Sequence, residues 1–167
     1  MLIENNLIYG LFDEFYFIGD EPFIPRFKGK EIIKQNNTDL KFIGTNKHKT
    51  IFLFHDENQL SETGLQMIRN LVDKGIGWKM EDIILLNLSE NSQPTLANLT
   101  DFFKPEKVLI WGCKGFLESN GIPEKNHEVQ KSGSLELLVA KSIAEYETTP
   151  ALKNQLWNAI QKLFNKK

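Results

Sequence analysis

Two short stretches of this chain, and a few scattered serines, carry side chains that could do chemistry. His55-Asp56-Glu57 follows an apolar run, and the lone thiol lies in Trp111-Gly-Cys-Lys-Gly-Phe116. A histidine beside carboxylates can act as a general base or ligate a metal. Adjacent residues on a turn seldom converge on one point, however, and His48 and His127 stand in other presumed loops. The better reading is a solvated loop in which Asp56 or Ser61 caps the following helix. Cys113, next to Lys114, would need a base to become a nucleophile, and His127 is the one candidate. Lone cysteines are more often small buried hydrophobes. Gly112 and Gly115 hint at a phosphate loop, but the Gly-Lys-Ser/Thr ending and the third glycine of the dinucleotide fingerprint are both missing. Ser89, Ser92, Ser132 and Ser134 sit in presumed loops outside any Gly-x-Ser-x-Gly elbow. The expectation is no catalytic residue, no cofactor and no metal.

The elements that would position these groups read as an α/β fold. Thr50-Ile-Phe-Leu-Phe54 and Asp82-Ile-Ile-Leu-Leu-Asn-Leu88 are strand-like. Between them Leu65, Met67, Ile68, Leu71 and Val72 recur at helical spacing, with Gly75 as the expected left-handed stop. Strand, helix, strand at this spacing is a βαβ crossover and implies a parallel sheet. Its ligands usually sit on the loop after a strand, where glycines let a phosphate approach. Here that loop, His55 to Thr63, has three carboxylates and no glycine before Gly64, and would repel a phosphate.

A second helix follows Asn91-Ser-Gln-Pro94, with Leu96, Leu99, Phe102 and Phe103 on one side and Pro105 as its stop; Lys107-Val-Leu-Ile-Trp111 is a third strand. Residues 112–133 read as a surface excursion, and residues 135–140 as either a strand or the start of a helical turn reaching Tyr146. Thr149 and Pro150 open a final amphipathic helix whose stripe is Leu152, Leu156, Trp157, Ile160, Leu163 and Phe164, with Lys162, Lys166 and Lys167 at its end.

At the N-terminus, Ile8, Leu11, Phe12, Phe15 and Ile18 outline a short amphipathic helix within residues 6–18, ended by Pro22 and Pro25. The expected architecture is a three-layer α/β/α sandwich with a small parallel or mixed sheet. It divides into an N-terminal helical arm, 1–25, and a single α/β domain, 26–167. Residues 26–49 should add one or two short strands at a sheet edge.

With 167 residues, 41% hydrophobic and 25% charged, the chain is of ordinary globular composition. It is long enough to bury roughly 70% of its unfolded surface. No apolar run nears the ~20 residues of a membrane span, the start lacks the pattern of a signal peptide, and one cysteine forms no internal disulfide. The expected location is the cytoplasm. Charge is uneven. Residues 1–25 carry Glu4, Asp13, Glu14, Asp20 and Glu21 without a base, whereas 26–49 carry Arg26, Lys28, Lys30, Lys34, Lys41, Lys47 and Lys49 against Glu31 and Asp39. The solvated face of a hairpin neutralised by the acidic segment before it explains this better than nucleic-acid binding, and the chain has only two arginines, Arg26 and Arg69, for bidentate phosphate contacts.

Two long stretches, KTIFLFHDENQLSETGLQMIRNLVDKGIGWKMEDIILLNL and SGSLELLVAKSIAEYETTPALKNQLWNAIQKLF, resemble the psi subunit family of bacterial DNA polymerase III. The likeness covers residues 49–112 and 133–164, about two-thirds of the chain. It rests on the order of the apolar elements and on the closing Leu156-Trp157 more than on any one motif. The resemblance implies a non-enzymatic accessory subunit of the clamp loader. It would dock on the clamp-loader ATPase subunits through its N-terminal segment and hold a chi-like partner that contacts the single-strand-binding protein. Position and chemistry point to Tyr9, Phe12, Phe15 and Tyr16 as the partner-binding residues, the alternative being that they pack on the protein's own sheet.

The alternative is a small α/β enzyme using the loops 55–63 and 112–116. A more distant one is a domain resembling uracil-DNA glycosylases, whose Gly-Gln-Asp-Pro and His-Pro-Ser-Pro loops this chain lacks. The expected core places Ile51, Leu53, Ile84, Leu86, Val108 and Ile110 in adjacent strands, with Leu156, Trp157 and Ile160 packing a helix across that sheet. Burial of Trp157 in that core would make its truncation to alanine cost roughly 3–5 kcal/mol.

Overall fold

A computed structural model of the chain describes residues 40–56 and 60–165. The expected arm 1–25, with its helix and with Tyr9, Phe12, Phe15 and Tyr16, lies outside the described residues, as does the basic stretch 26–39.

Five strands and five α-helices follow one another in the order β1 (Thr50–Phe54), α1 (Glu62–Asn70), β2 (Ile84–Asn87), α2 (Leu96–Phe103), β3 (Lys107–Trp111), α3 (Lys114–Ser119), β4 (Val129–Ser132), β5 (Leu135–Ala140), α4 (Ile143–Thr148) and α5 (Pro150–Leu163). They form one mixed sheet ordered β2-β1-β3-β5-β4. β1 pairs in parallel with β2 and β3, β3 in parallel with β5, and β4 is antiparallel to β5. This is the expected α/β sandwich with a mixed sheet.

β1 and β2 are buried along their whole length because helices cover both sheet faces, which is why they read as unbroken apolar runs. One face joins Ile51, Leu53, Ile84, Leu86, Val108 and Ile110 to Leu99 and Phe103 of α2 and to Phe116 and Leu117 of α3. The other joins Phe52, Phe54, Leu85, Leu109, Trp111 and Leu138 to Ile68 of α1, Tyr146 of α4, and Leu156 and Ile160 of α5. The expected strand neighbours are therefore correct, with Ile51 opposite both Ile84 and Val108. The expected helix does cross the sheet, through Leu156 and Ile160, on the face opposite to that of Ile51 and its neighbours. Alternation assigns residues to two faces but, with both faces apolar, not to a particular helix. Trp157 is half-buried, with its ring over Gly75. Its truncation removes less contact than that of a core tryptophan.

Gly75 is not the helix stop. α1 continues through a π-helical segment, Leu71–Ile76, and Gly77 supplies the left-handed cap at φ 81°. At Gly75 a Cβ would stand 2.7 Å from Trp157 Cζ3, so this glycine makes room for the ring. The stretch 112–133 is more ordered than a surface excursion: it contains α3 and the edge strand β4, which also takes Ser132 out of its presumed loop. Residues 135–140 are strand β5, and Tyr146 belongs to the separate helix α4. The described part of the basic segment reaches the sheet edge through a single antiparallel bridge, Ile43 to Leu85, with bonds of 3.0 and 2.8 Å.

Candidate functional site at the carboxyl end of the sheet

From β1 the chain moves one way along the sheet to β2 and later crosses to β3 on the other side. Between the carboxyl ends of β1 and β3 lies the topological switch point, where open parallel sheets bind ligands. The groups brought here are His55 and Asp56 after β1, Gly112 and Cys113 after β3, Lys141 and Ser142 after β5, and the N-terminus of α1.

The chain itself occupies that helix N-terminus. Ser61 caps α1, its Oγ accepting the Gly64 N–H at 2.9 Å, and the same hydroxyl hydrogen-bonds the Glu147 carboxylate of α4. A carboxylate belongs at the positive end of a helix dipole, the position a bound phosphate would take. A Cβ at Gly64 would lie 2.7 Å from Ile143 Cγ2 and 3.2 Å from Glu147 Oε1, so α4 packs directly on the first turn of α1. At Gly112, φ is 61°, and a Cβ would meet Ser142 Cα, Cβ and N at 2.7, 2.8 and 2.9 Å. This glycine admits the start of α4 rather than a phosphate. Ser142 and Glu145 form a capping box there, and the Glu145 carboxyl is held below its ordinary range, first by the Ser142 hydroxyl.

Cys113 is buried, and its Sγ lies 3.2 Å from Trp111 O and 3.9 Å from Leu53 O as a weak donor. Burial pushes its thiol pKa up to about 12, so it stays protonated at neutral pH and is a poor nucleophile. His127, its candidate base, hydrogen-bonds Tyr146 Oη through Nε2 at 2.6 Å. His55 is exposed, and His48 stacks on Trp78 with ring centroids 3.9 Å apart. Among the described residues no group of three or more His, Cys, Asp or Glu could hold a metal ion.

The polar residues that shape this end of the sheet are two that belong to no familiar motif. Asn87, the last residue of β2, is buried. Its Nδ2 donates to Asp56 O at 2.9 Å, and its Oδ1 accepts from Asp56 N at 3.2 Å and Ser89 N at 3.1 Å. Asn91 treats Lys41 the same way, accepting from its N–H at 2.7 Å and donating to its carbonyl at 3.0 Å. Each amide serves as a one-residue strand partner for a neighbouring loop, pairing both the N–H and the carbonyl of the residue it meets. The available signal was a polar residue, Asn87, inside the otherwise apolar stretch 83–88. Ser89 donates to Asp56 O at 2.6 Å as part of the same network.

Described lysines of the basic segment meet acids: Lys47 lies 3.6 Å from Asp82, and Lys49 2.8 Å from Glu106. The Lys49 hydrogen bond is the main reason that the Glu106 carboxyl sits below its usual range. These acids belong to the folded body, whereas the acidic segment expected to neutralise the basic stretch lies outside the described residues. No helix among the described residues is long and apolar enough to cross a membrane. Comparison of the chain with protein-family models finds no match, and comparison with curated proteins finds none either.

Proposed function

We propose that this chain is a non-catalytic, partner-binding subunit of the psi type, attached to the clamp loader of a bacterial replicative polymerase and bridging it to a chi-like partner and the single-strand-binding protein. The observation that carries the non-catalytic part is the filling of the switch-point crevice by α4. Glu147 takes the anion position on α1, and Ser142 sits against Gly112. The protonated, buried thiol of Cys113 also weighs against the enzyme reading through the loops 55–63 and 112–116. The assignment to the psi type rests on the resemblance over 49–112 and 133–164, with which the sandwich fold agrees. Binding is assigned to the arm, through Tyr9, Phe12, Phe15 and Tyr16, because its aromatics are interleaved with acids that suit a basic groove. Cytoplasmic location follows from this role.

The test is the affinity of the full chain for purified clamp-loader ATPase subunits, measured for the wild type and for Phe12→Ala with Phe15→Ala. Aromatic anchors lose ~2 kcal/mol or more of binding on truncation, so at least about a tenfold weakening is expected with the melting temperature nearly unchanged. A large drop in melting temperature, with binding per folded molecule intact, would place these aromatics in the core and return the search to the folded body. Failure of the wild type to bind any clamp-loader subunit would overturn the psi-type reading itself. As a control, His55→Ala and Cys113→Ala should leave clamp-loader affinity unchanged.

A further inference from the structure

A polar cluster joins three segments around one phenol. Tyr146 is fully buried in α4 and packs edge-on against Trp111, with ring centroids 5.7 Å apart. Its Oη accepts the Lys141 N–H at 3.0 Å and lies 2.6 Å from His127 Nε2. A buried hydroxyl proton needs an acceptor. Lys141 N–H is a donor, so the acceptor is the imidazole: Tyr146 donates to an unprotonated Nε2, and the ring proton is on Nδ1. His127 is held for this contact in a left-handed backbone conformation, φ 65°, which side chains other than glycine rarely adopt, and its own N–H bonds Val139 O at 2.9 Å.

We propose that the His127–Tyr146 hydrogen bond is an acid-sensitive latch that fastens α4 over the switch-point crevice. Protonating the imidazole turns Nε2 from acceptor into donor. The Tyr146 hydroxyl would then face two donors, Lys141 N–H and His127 Nε2–H, and its own buried proton would lose its acceptor. The charged groups around the ring do not compensate. Lys141, on the link from β5 to α4, is itself cationic, and its Nζ is 3.3 Å from Glu145 of α4. On its own segment the nearest charged residues in the chain are Lys125 and Glu128, of opposite sign.

Burial, and then the Lys141 charge, lower the His127 pKa below its ordinary value. An opened state, with an ordinary imidazole, therefore binds the proton more readily than the latched one. The latched state loses stability as pH falls through the ordinary histidine value of ~6.5, and the loss levels off below the lowered folded value. Opening would part Glu147 from Ser61 and Ser142 from Gly112, uncovering the N-terminus of α1. This inference stands on the contacts of α4 and does not depend on the identity of the partner.

The experiment is amide hydrogen exchange of the full chain at about pH 7.5 and about pH 5, corrected for the intrinsic exchange rate. In the wild type, protection of residues 143–148 should fall by about threefold or more at the lower pH relative to the β1 amides. His127→Gln, which cannot gain a proton, should show no such relative loss. Should His127→Gln fail to fold, the wild-type imidazole is followed by NMR, and the Tyr146 ring resonances should move with it. An equal acid-induced loss in His127→Gln overturns the proposal. So does wild-type protection that is the same at both pH values, or a His127 titration to which Tyr146 does not respond.

Discussion

Trp111→Ala should lower the stability of the fold by roughly 3–5 kcal/mol, the cost of emptying a large, fully packed site. Trp111 is 2% exposed at the end of β3 and packs on Phe52 and Tyr146. Its ring is therefore the floor on which α4 rests. At this chain length each kcal/mol is worth about 2–4 °C, so the melting temperature should fall on the order of 10 °C. Trp157→Ala is the natural comparison, since Trp157 is half-buried and its ring lies over Gly75. Thermal or urea unfolding of the two variants should rank Trp111 well above Trp157. A reversed order would mean that the sheet face under α4 is not packed as described.

The second large effect is expected at Gly112, and its size distinguishes two reasons for a glycine after a strand. Alanine there must adopt φ near 61° and place its Cβ within 2.9 Å of three Ser142 atoms, two of them backbone. The left-handed conformation alone costs on the order of 1–2 kcal/mol, and displacement of α4 adds to it, for a total of about 3 kcal/mol. Gly115, three residues on and inside α3, has nothing within 4 Å of where a Cβ would stand. Gly115→Ala should be neutral or stabilising by ~0.5 kcal/mol, as in other helices. A phosphate loop would need both glycines for the approach of a ligand. A thermally silent Gly112→Ala would show that Ser142 is not held against this position.

How far these features were legible in the residues depends on the range of the interactions behind them. Strands β1 and β3 were readable to the residue, because 51–54 and 108–111 are unbroken apolar runs, each entered from one polar residue and followed by His55 or Gly112. The opening of α5 was readable from Thr149-Pro150, although the Thr149 side chain makes no capping bond. β4, Val129–Ser132, was not readable: its residues are half-buried or exposed, and it is a strand only because β5 offers a paired edge. Gly75 and Gly112 have roles that local pattern does not suggest, for a related reason. Their constraints come from Trp157 and Ser142, 82 and 30 positions away in the chain, and no local pattern records them.

Residue pattern was enough to read an alternation of strands and helices that makes an α/β sandwich, and to see that the histidines and the lone cysteine fall into no familiar catalytic spacing. Those properties follow from hydrophobic periodicity and from the absence of recognisable spacing, both local. Long-range packing set which sheet face each helix covers, the pairing of neighbouring loops by Asn87 and Asn91, and the seat of α4 over the switch point with Glu147 on the N-terminus of α1. Each of these is a contact between segments far apart in the chain, chosen by which buried polar groups and apolar faces can be satisfied together.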